Sequence, residues 1–355
     1  MAYTTIDDPS AYFQNVLWTG DGSAGNAVTF DGNSDMQPDF VWSKRRDVGY
    51  GHVLKDTSRG GTSNNDVHLV SNTTAGDSTY TAYRMDFNSD GFTLDGSGDS
   101  GFQANGTSMV SWSWKANGGT TSTNTDGSTN TTVQANTDAG FSIVTFTTDG
   151  GNETYGHGLG VKPDVVLVKS RSGAGTWIFT TDVIDGSVDY LILNATNAAA
   201  DLSYGAFTSS TFQYNDNNAV TQVAYCFAEK QGYSKFGKYV GNGNVNGPFV
   251  YTGFQPAWIL LKRTDSTTGG NWHIIDNKRS ASGGANVNVY SITANTADAE
   301  STGEAESTYG VDFLSNGFKI RASHSTRNAS GGSYIYMAFA ENPFTTSTGI
   351  PTTAR

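Results

Sequence analysis

The sequence predicts an all-β protein of three tandem degenerate repeats, each an antiparallel β-sandwich or jelly-roll-like unit. Short apolar runs alternate with period two, which is typical of strands because successive side chains point to opposite faces. The 43 glycines and many Ser, Thr and Asn residues favour turns between short strands. Helical periodicity is nearly absent, and residues 195–201 are the clearest exception, predicting one helical turn.

The repeat is clearest in the run YIYMAFAENPF at 334–344, which corresponds to VSWSW at 110–114 and VAYCF at 223–227. Ile335, Met337 and Phe339 should face one side of a strand, with Tyr334 and Tyr336 on the other. The strand should end before Pro343, which cannot donate a ladder hydrogen bond.

Four further blocks recur in the same order in each copy, and such internal repetition is settled before anything else is inferred. A proline opens one strand that ends in lysine, an aspartate follows an apolar run, an asparagine ends the next run, and a phenylalanine follows a turn. The repeat-defining residues are Pro38, Lys44, Asp56, Asn72, Phe92 and Trp114, then Pro163, Lys169, Asp182, Asn194, Phe212 and Phe227, then Pro256, Lys262, Asp276, Asn295, Phe318 and Phe339.

These blocks and the composition between them predict the domain organisation. An N-terminal arm (1–11) precedes repeat 1 (12–118), a Thr/Asn/Ser/Gly-rich linker or long loop (119–139), repeat 2 (140–232), repeat 3 (233–345) and a C-terminal tail (346–355). A polar tract such as 119–139 is typical of a linker, because it offers little apolar surface for a core. Blade-like units, or three units around a shared pseudo-threefold axis, are alternatives that the sequence leaves open.

Charge and cysteine content exclude several classes of protein. The net charge of −12 argues against a nucleic-acid partner, since phosphate binding needs clustered Lys and Arg. The single cysteine, Cys226, lies in an apolar strand and is interpreted as a small buried hydrophobe, with no intrachain disulfide. No secretory signal and no apolar run long enough to span a membrane are recognised, so we expect synthesis in a cytoplasm and no membrane insertion.

Metal sites find little support in the residue spacing. His52, His157 and His273 do not recur at one repeat position, and no HxH or HExxH pair predicts zinc. Asp31, Asn33 and Asp35 place oxygen ligands at alternate positions and form a calcium candidate. No Glu follows at the position that would close an EF-hand loop, and a simple turn explains the pattern equally well.

The repeated Lys44, Lys169 and Lys262, with Asp56, Asp182 and Asp276, should lie on neighbouring strands. We interpret them as salt bridges that fix the strand register of each repeat. No nucleophile elbow, phosphate-binding loop or dinucleotide fingerprint is present, and the acids form no pair placed across a cleft. The sequence therefore predicts no enzyme and no cofactor. Most tryptophans should be core, while tyrosines on an outer face could stack on sugars or on another subunit.

Several stretches together resemble a known family: MAYTTIDDPSAYFQNVLWTGDGS at the N-terminus, QPDFVWSKRR, KDTSRG, and DFLSNGFKI with NASGGSYIYMAFAENPF near the C-terminus. They are similar to a repeat family of tail-associated or structural virion proteins of marine tailed bacteriophages, including cyanophages. The second repeat departs from the pattern at Thr211-Phe212, and at Asp182 and Asp185, where the other repeats have Asp-x-x-Arg. The resemblance implies a place in the virion, reached after assembly in the host cytoplasm, more than an activity.

The function expected from this resemblance is a tail fibre or adhesin that mediates host attachment. Its partners would be other virion proteins, further copies of itself with a trimer favoured, and a glycan or receptor on the host surface. A capsid decoration or head-fibre protein is one alternative, and a carbohydrate-binding module without catalysis is another. Exposed aromatic residues would distinguish a glycan-binding protein from a purely structural one.

Overall fold

The computed structural model describes residues 2–96, 101–216, 218–279, 286–302 and 304–352, and these residues form antiparallel β-structure joined by turns. The first strands are β1 (Phe13–Thr19), β2 (Asn26–Val28), β3 (Phe40–Arg45), β4 (Val53–Asp56), β5 (Val67–His68), β6 (Ser78–Thr79), β7 (Met85–Phe87), β8 (Phe92–Leu94) and β9 (Ser108–Trp114). Next come β10 (Ser122–Asn124), β11 (Thr131–Asn136), β12 (Phe141–Thr147), β13 (Asn152–Gly156), β14 (Val165–Ser170), β15 (Ile178–Thr181), β16 (Asp189–Ile192), β17 (Ala200–Asp201), β18 (Thr211–Asn215) and β19 (Thr221–Phe227). The last are β20 (Ser234–Val240), β21 (Phe249–Tyr251), β22 (Phe254–Arg263), β23 (Trp272–Asp276), β24 (Ile292–Thr293), β25 (Val311–Leu314), β26 (Gly317–Ile320) and β27 (Ser333–Pro343).

In the part of the chain that the structure describes, the helices are single turns. They are α1 (Thr57–Gly60), α2 (Glu306–Tyr309), α3 (Ser325–Asn328) and two 3₁₀ turns at Pro9–Ala11 and Thr81–Tyr83. Within the described residues, no helix is long and apolar enough to cross a membrane.

Three large sheets share the order of four strands, which are β1-β9-β3-β4, β12-β19-β14-β15 and β20-β27-β22-β23. Sheet 1 is β1-β9-β3-β4, sheet 2 is β10-β11-β12-β19-β14-β15-β16-β17, and sheet 3 is β20-β27-β22-β23-β24. Their registers correspond as well, because Phe40 lies opposite Trp114, Val165 opposite Phe227, and Trp258 opposite Phe339.

The inner faces of the three sheets pack against one another in a single hydrophobic core. At its centre, the repeated aromatics Trp114, Phe227 and Phe339 contact one another, with ring centroids 5.5 Å (Trp114–Phe339), 5.9 Å (Phe227–Phe339) and 6.2 Å (Trp114–Phe227) apart. All three side chains are buried. The sheets therefore surround a common aromatic centre, to which each contributes the same strand position.

The outer face of each large sheet packs on a smaller one and encloses a separate apolar cluster. Sheet 1 is covered by β2-β8-β7, sheet 2 by β13-β18, and sheet 3 by β21-β26-β25. Along β27, Ile335, Met337 and Phe339 point into the shared core, while Tyr334 and Tyr336 point into the outer cluster. The predicted alternation is confirmed, and both tyrosines are core residues instead of exposed stacking surfaces.

Residues 119–139, expected to be a linker or long loop, contain strands β10 and β11 at the edge of sheet 2. The buried Val133 joins the outer cluster of that sheet. The buried Gln134 side chain accepts hydrogen bonds from the backbone N–H groups of Asn117 and Gly119. The prediction was wrong because threonine-rich sequence also suits strands, and one buried Val with a bonded Gln is enough for an edge position.

Two other local expectations also differ from the structure. The helical turn expected at 195–201 is absent; this segment is a turn followed by the short edge strand β17.

The N-terminal arm packs against the rest of the protein, because Ile6 is buried in the shared core and the Thr4 hydroxyl donates to the carbonyl of Gln231. Asp7 accepts hydrogen bonds from Ser347, so the predicted arm and C-terminal tail lie together.

Candidate functional site

The repeated lysines lie apart from the repeated aspartates, and the predicted register salt bridges are absent among the described residues. Asp56 pairs with Phe40, four residues before Lys44, which separates the two by roughly 13 Å along the strand. Lys169 Nζ instead donates to the Thr74 carbonyl (3.0 Å) and Lys262 Nζ to the Thr196 carbonyl (3.3 Å), both beside the preceding sheet. Burial lowers the pKa of each lysine to about 8.

Asp56 instead belongs to a buried ionic network between sheets 1 and 2. Asp56 caps the N-terminus of α1. Arg59 Nε donates to the Asp56 carboxylate at 2.5 Å, and both side chains are fully buried. Arg59 also contacts Asp77 at 2.8 Å, and Asp77 accepts from Arg171 Nε, just beyond β14. The Tyr225 hydroxyl, from β19, donates to Asp56 Oδ2 at 2.7 Å. Burial and the Asp56 carboxylate raise the pKa of that phenol, which keeps it a donor.

The same network recurs between sheets 3 and 1. Asp276 is bonded to Arg279 Nε (2.6 Å), and Arg279 Nη1 to Glu300 (2.8 Å). Glu300 is also paired with Arg46, just beyond β3, at 2.8 Å. Trp112 Nε1 takes the place of the tyrosine hydroxyl and donates to Asp276 Oδ2 at 2.8 Å.

The third contact, between sheets 2 and 3, has neutral residues at all five corresponding positions. These are Thr181, Ile184, Ala199, Thr264 and Met337. The correspondence is supported by the backbone. The Ala199 N–H donates to the Thr264 carbonyl (2.8 Å), just as the Asp77 N–H donates to Arg171 and the Glu300 N–H to Arg46.

The sequence alignment of the second repeat was one residue out, because the register puts Thr181, not Asp182, opposite Val165. Asp182 pairs with the half-exposed Lys162.

The repeated asparagines have one local role. The side-chain oxygens of Asn72, Asn194 and Asn295 accept from the backbone N–H of His52, Trp177 and Trp272. The same three aromatic residues bind the neighbouring sheet through their rings: Trp177 Nε1 donates to the Val70 carbonyl and Trp272 Nε1 to the Ile192 carbonyl, while His52 Nε2 lies 3.1 Å from the Thr293 carbonyl.

The other repeat-defining residues are core. Phe92, Phe212 and Phe318 occupy the three outer clusters, and Pro163 and Pro256 are buried. Pro38 is buried at the entry to β3.

The calcium candidate Asp31, Asn33 and Asp35 lies in the exposed loop between β2 and β3. Both carboxylate oxygens of Asp31 contact Lys278 Nζ, at 2.9 and 2.7 Å. That lysine already supplies a positive charge to the loop. His52, His157 and His273 are buried in separate places, and burial lowers the pKa of each.

A groove of about 880 Å³ opens on the outer side of sheet 2, where the covering sheet is short. Among the described residues, sheets 1 and 3 are each covered by three strands, whereas sheet 2 is covered by the two strands β13 and β18. The strand that would correspond to β7 and β25 is reduced to an isolated bridge between Phe207 and Phe212. The outward side of β14–β16 therefore stays uncovered beyond β18.

Tyrosines and small polar residues line this groove. Ser170, Ile178, Thr180 and Tyr190 form the sheet side, and Tyr204 and Tyr214 face it from the surrounding segments. The remaining lining residues are Ser172, Ala174, Gly175, Thr176, Asp201, Leu202, Ser203, Asn215, Asp216, Asn218, Ala219 and Val220. Two of the described lining residues are acidic and none is basic, which disfavours an anionic ligand.

The tyrosines are positioned as neutral hydrogen-bonding rings. Tyr214 packs against the outer cluster, with its ring centroid 6.2 Å from that of Phe146. Burial raises the pKa of Tyr204 and Tyr214, and the Asp216 carboxylate adds to both shifts. Both phenols are therefore protonated at neutral pH. Tyrosine combined with Ser and Asn is a composition that adapts to polar ligands while offering flat apolar contact.

Sequence reasoning did not find this groove, although it noted the Thr211-Phe212 departure beside it. The signal was that Thr211-Phe212 stands where the other two copies have Gly91-Phe92 and Gly317-Phe318.

The chain belongs to the family described as a domain of unknown function (DUF7483), whose model matches residues 8–343. No curated protein matches the chain. No solved structure matches it either.

Proposed function

We propose that this protein is a non-catalytic structural component of a bacteriophage virion, associated with the tail, which binds a glycan on the host surface through the groove of sheet 2. The place in the virion is supported by the resemblance of the sequence to tail-associated proteins of marine phages. The binding role is supported by one observation above others: three tyrosines and a set of neutral hydrogen-bonding groups line an open groove.

The groove favours an uncharged sugar over other surface ligands. Tyrosine rings offer flat apolar faces, and the acidic and amide side chains accept or donate to hydroxyl groups. The absence of lysine and arginine from the described lining removes the usual partners of phosphate and carboxylate.

We further propose that the chain consists of three tandem copies of one sandwich unit. The common strand order, the matching registers and the three equivalent aromatics at the centre support this interpretation. The three units then surround one pseudo-threefold axis within a single chain.

Self-association, with a trimer favoured, completes the proposal. The edge strand β21 carries Phe249 and Tyr251, with 45% and 54% of their surface exposed, while Val250 between them is buried. An edge strand with exposed apolar side chains is a site where a second chain can pair. Light scattering of the full chain should give a multiple of 37.6 kDa, and Phe249→Asp should reduce the mass to that of one chain. A wild-type mass of one chain would contradict self-association.

The binding proposal is tested with fluorescently labelled full-length protein, applied to host cells and to an array of neutral bacterial surface polysaccharides. Tyr204→Ala should weaken binding about tenfold or more, since a buried aromatic contact of 1.4 kcal/mol corresponds to that factor. Tyr80→Ala removes a more exposed tyrosine that lies outside the groove and is the control.

Three outcomes would contradict the proposal. Equal losses in the two variants would show that the groove is not the binding site. Release of reducing sugar from a bound polysaccharide would make the protein an enzyme. Binding to purified capsids without binding to cells would favour capsid decoration.

A further inference from the structure

Three aspartates of sheet 2 bring their carboxylates together at the far edge of the sheet. Asp189 on β16 lies directly opposite Asp201 on β17, and Asp185 lies in the turn before β16. One carboxylate oxygen of each residue lies within 4.8 Å of the corresponding oxygens of the other two. Like charges directly opposite on paired strands destabilise a sheet, so this arrangement needs a compensating partner.

The need for a compensating partner is greatest at Asp189, because only 3% of its surface is exposed. Its Oδ2 atom has no hydrogen-bond partner in the part of the chain that the structure describes. A buried carboxylate without a partner is costly, which is why such groups are normally paired or bound to a metal.

In the ranges that the structure describes, no lysine or arginine forms an ion pair with these three aspartates. Lys238 Nζ, near the turn, donates to the carbonyl of Ile184 at 2.7 Å. Asp185 Oδ1 accepts from the backbone and hydroxyl of Ser187, which orients that carboxylate and leaves its second oxygen for another partner.

We propose that Asp185, Asp189 and Asp201 form a binding site for a divalent cation, and that Ca²⁺ is its natural occupant. The donors are all carboxylate oxygens, which favour hard cations over zinc or copper. Asp185 and Asp201 are exposed, so water can complete the six to eight oxygen ligands that calcium takes.

The corresponding cross-strand pair of sheet 1 provides an internal comparison. That pair lies on β5 and β6, a two-stranded sheet joined to sheet 1 by the bridge between Leu54 and Leu69. There Val67 faces Thr79, so neither position is acidic. Asp201 also lines the groove. A cation bound to it would fix the position of one groove wall, but the site stands on its own geometry whether or not the groove binds sugar.

The test is calorimetric titration of CaCl₂ into the full chain, previously treated with EDTA, together with thermal unfolding with and without Ca²⁺. We expect one site with a dissociation constant of about 1 mM or lower, as in extracellular calcium modules. Asp189→Asn and Asp201→Asn should each weaken binding about tenfold or more and abolish the Ca²⁺-dependent rise in Tm. Without Ca²⁺, Asp189→Asn should unfold at a higher temperature than wild type, because it removes repulsion.

Asp35→Asn is the matched control, since it changes the calcium candidate of the β2–β3 loop and should leave binding unchanged. Absence of both heat and a Tm shift at about 10 mM Ca²⁺, well above the affinities of such modules, would overturn the proposal. It would equally be overturned if wild type bound Ca²⁺ and both sheet 2 variants bound it as tightly. Loss of binding in Asp35→Asn alone would assign the ion to the other loop.

Discussion

Replacing Arg279 with isoleucine should strongly destabilise the protein, although isoleucine occupies the corresponding position, Ile184, in sheet 2. The Arg279 side chain is fully buried and donates to Asp276, to Glu300 and to the carbonyl of Ile274. Removing it leaves two carboxylates without their shared cation. Breaking a buried ion pair on one side costs about 3–5 kcal/mol of unfolding free energy.

The neutral contact between sheets 2 and 3 indicates how that cost can be avoided. If the charges are removed together, no carboxylate is left unpaired, and apolar replacement of a whole buried network is often close to neutral. The quadruple variant R46T/D276T/R279I/E300A copies Thr264, Thr181, Ile184 and Ala199. We expect it to lose about 1–3 kcal/mol, because D276T also removes the acceptor of the buried Trp112 Nε1–H, and this loss is still below that from R279I alone.

Urea unfolding followed by tryptophan fluorescence and by circular dichroism measures both losses, and coincidence of the two signals tests two-state behaviour. The reasoning would be refuted if the quadruple variant were less stable than R279I. It would also fail if R279I alone cost under about 1 kcal/mol, the range of exposed ion pairs. Arg263→Ile is the control, because Arg263 pairs with the exposed Asp265 near the surface.

Two further predictions concern stability. Burial lowers the pKa of His52 to about 3 and that of His68 to about 4, so these groups contribute stability above pH 6.5 that is lost as pH falls toward those values. Each should reduce the unfolding free energy by up to about 1.4 kcal/mol per pH unit, and a urea midpoint that does not fall between pH 6.5 and 4.5 would contradict this. Phe339→Ala, at the aromatic centre, should cost about 3–5 kcal/mol and lower Tm, whereas Val161→Ala, at an exposed position away from the core and from β21, should change Tm little.

Much of the fold could be predicted from short-range pattern. The alternation along 334–344 correctly placed Phe339 and Tyr336 on opposite faces of the strand, because side chains in a strand alternate with a period of two. The threonine-rich strands β10 and β11 could not be recognised, since polar edge strands have the composition of a loop.

The candidate sites were beyond sequence reasoning for a related reason. Asp189 and Asp201 are twelve residues apart and meet only because β17 pairs with β16. The groove lies where sheet 2 has two covering strands among the described residues, while sheets 1 and 3 have three. That difference is seen only when the three sheets are compared. Pairs such as Lys44 and Asp56 recur in the sequence, yet the strand register separates them.

The amino-acid sequence by itself determined the predominantly β class and the two faces of the strand at 334–344, because these depend on local periodicity and turn chemistry. The tertiary structure alone decided which strands meet across sheets. It placed three aromatics at one centre, joined Asp276 to Arg46 through Arg279 and Glu300, and left one unpartnered carboxylate at the edge of sheet 2. Those contacts depend on long-range packing and on burial, which no single stretch of sequence encodes.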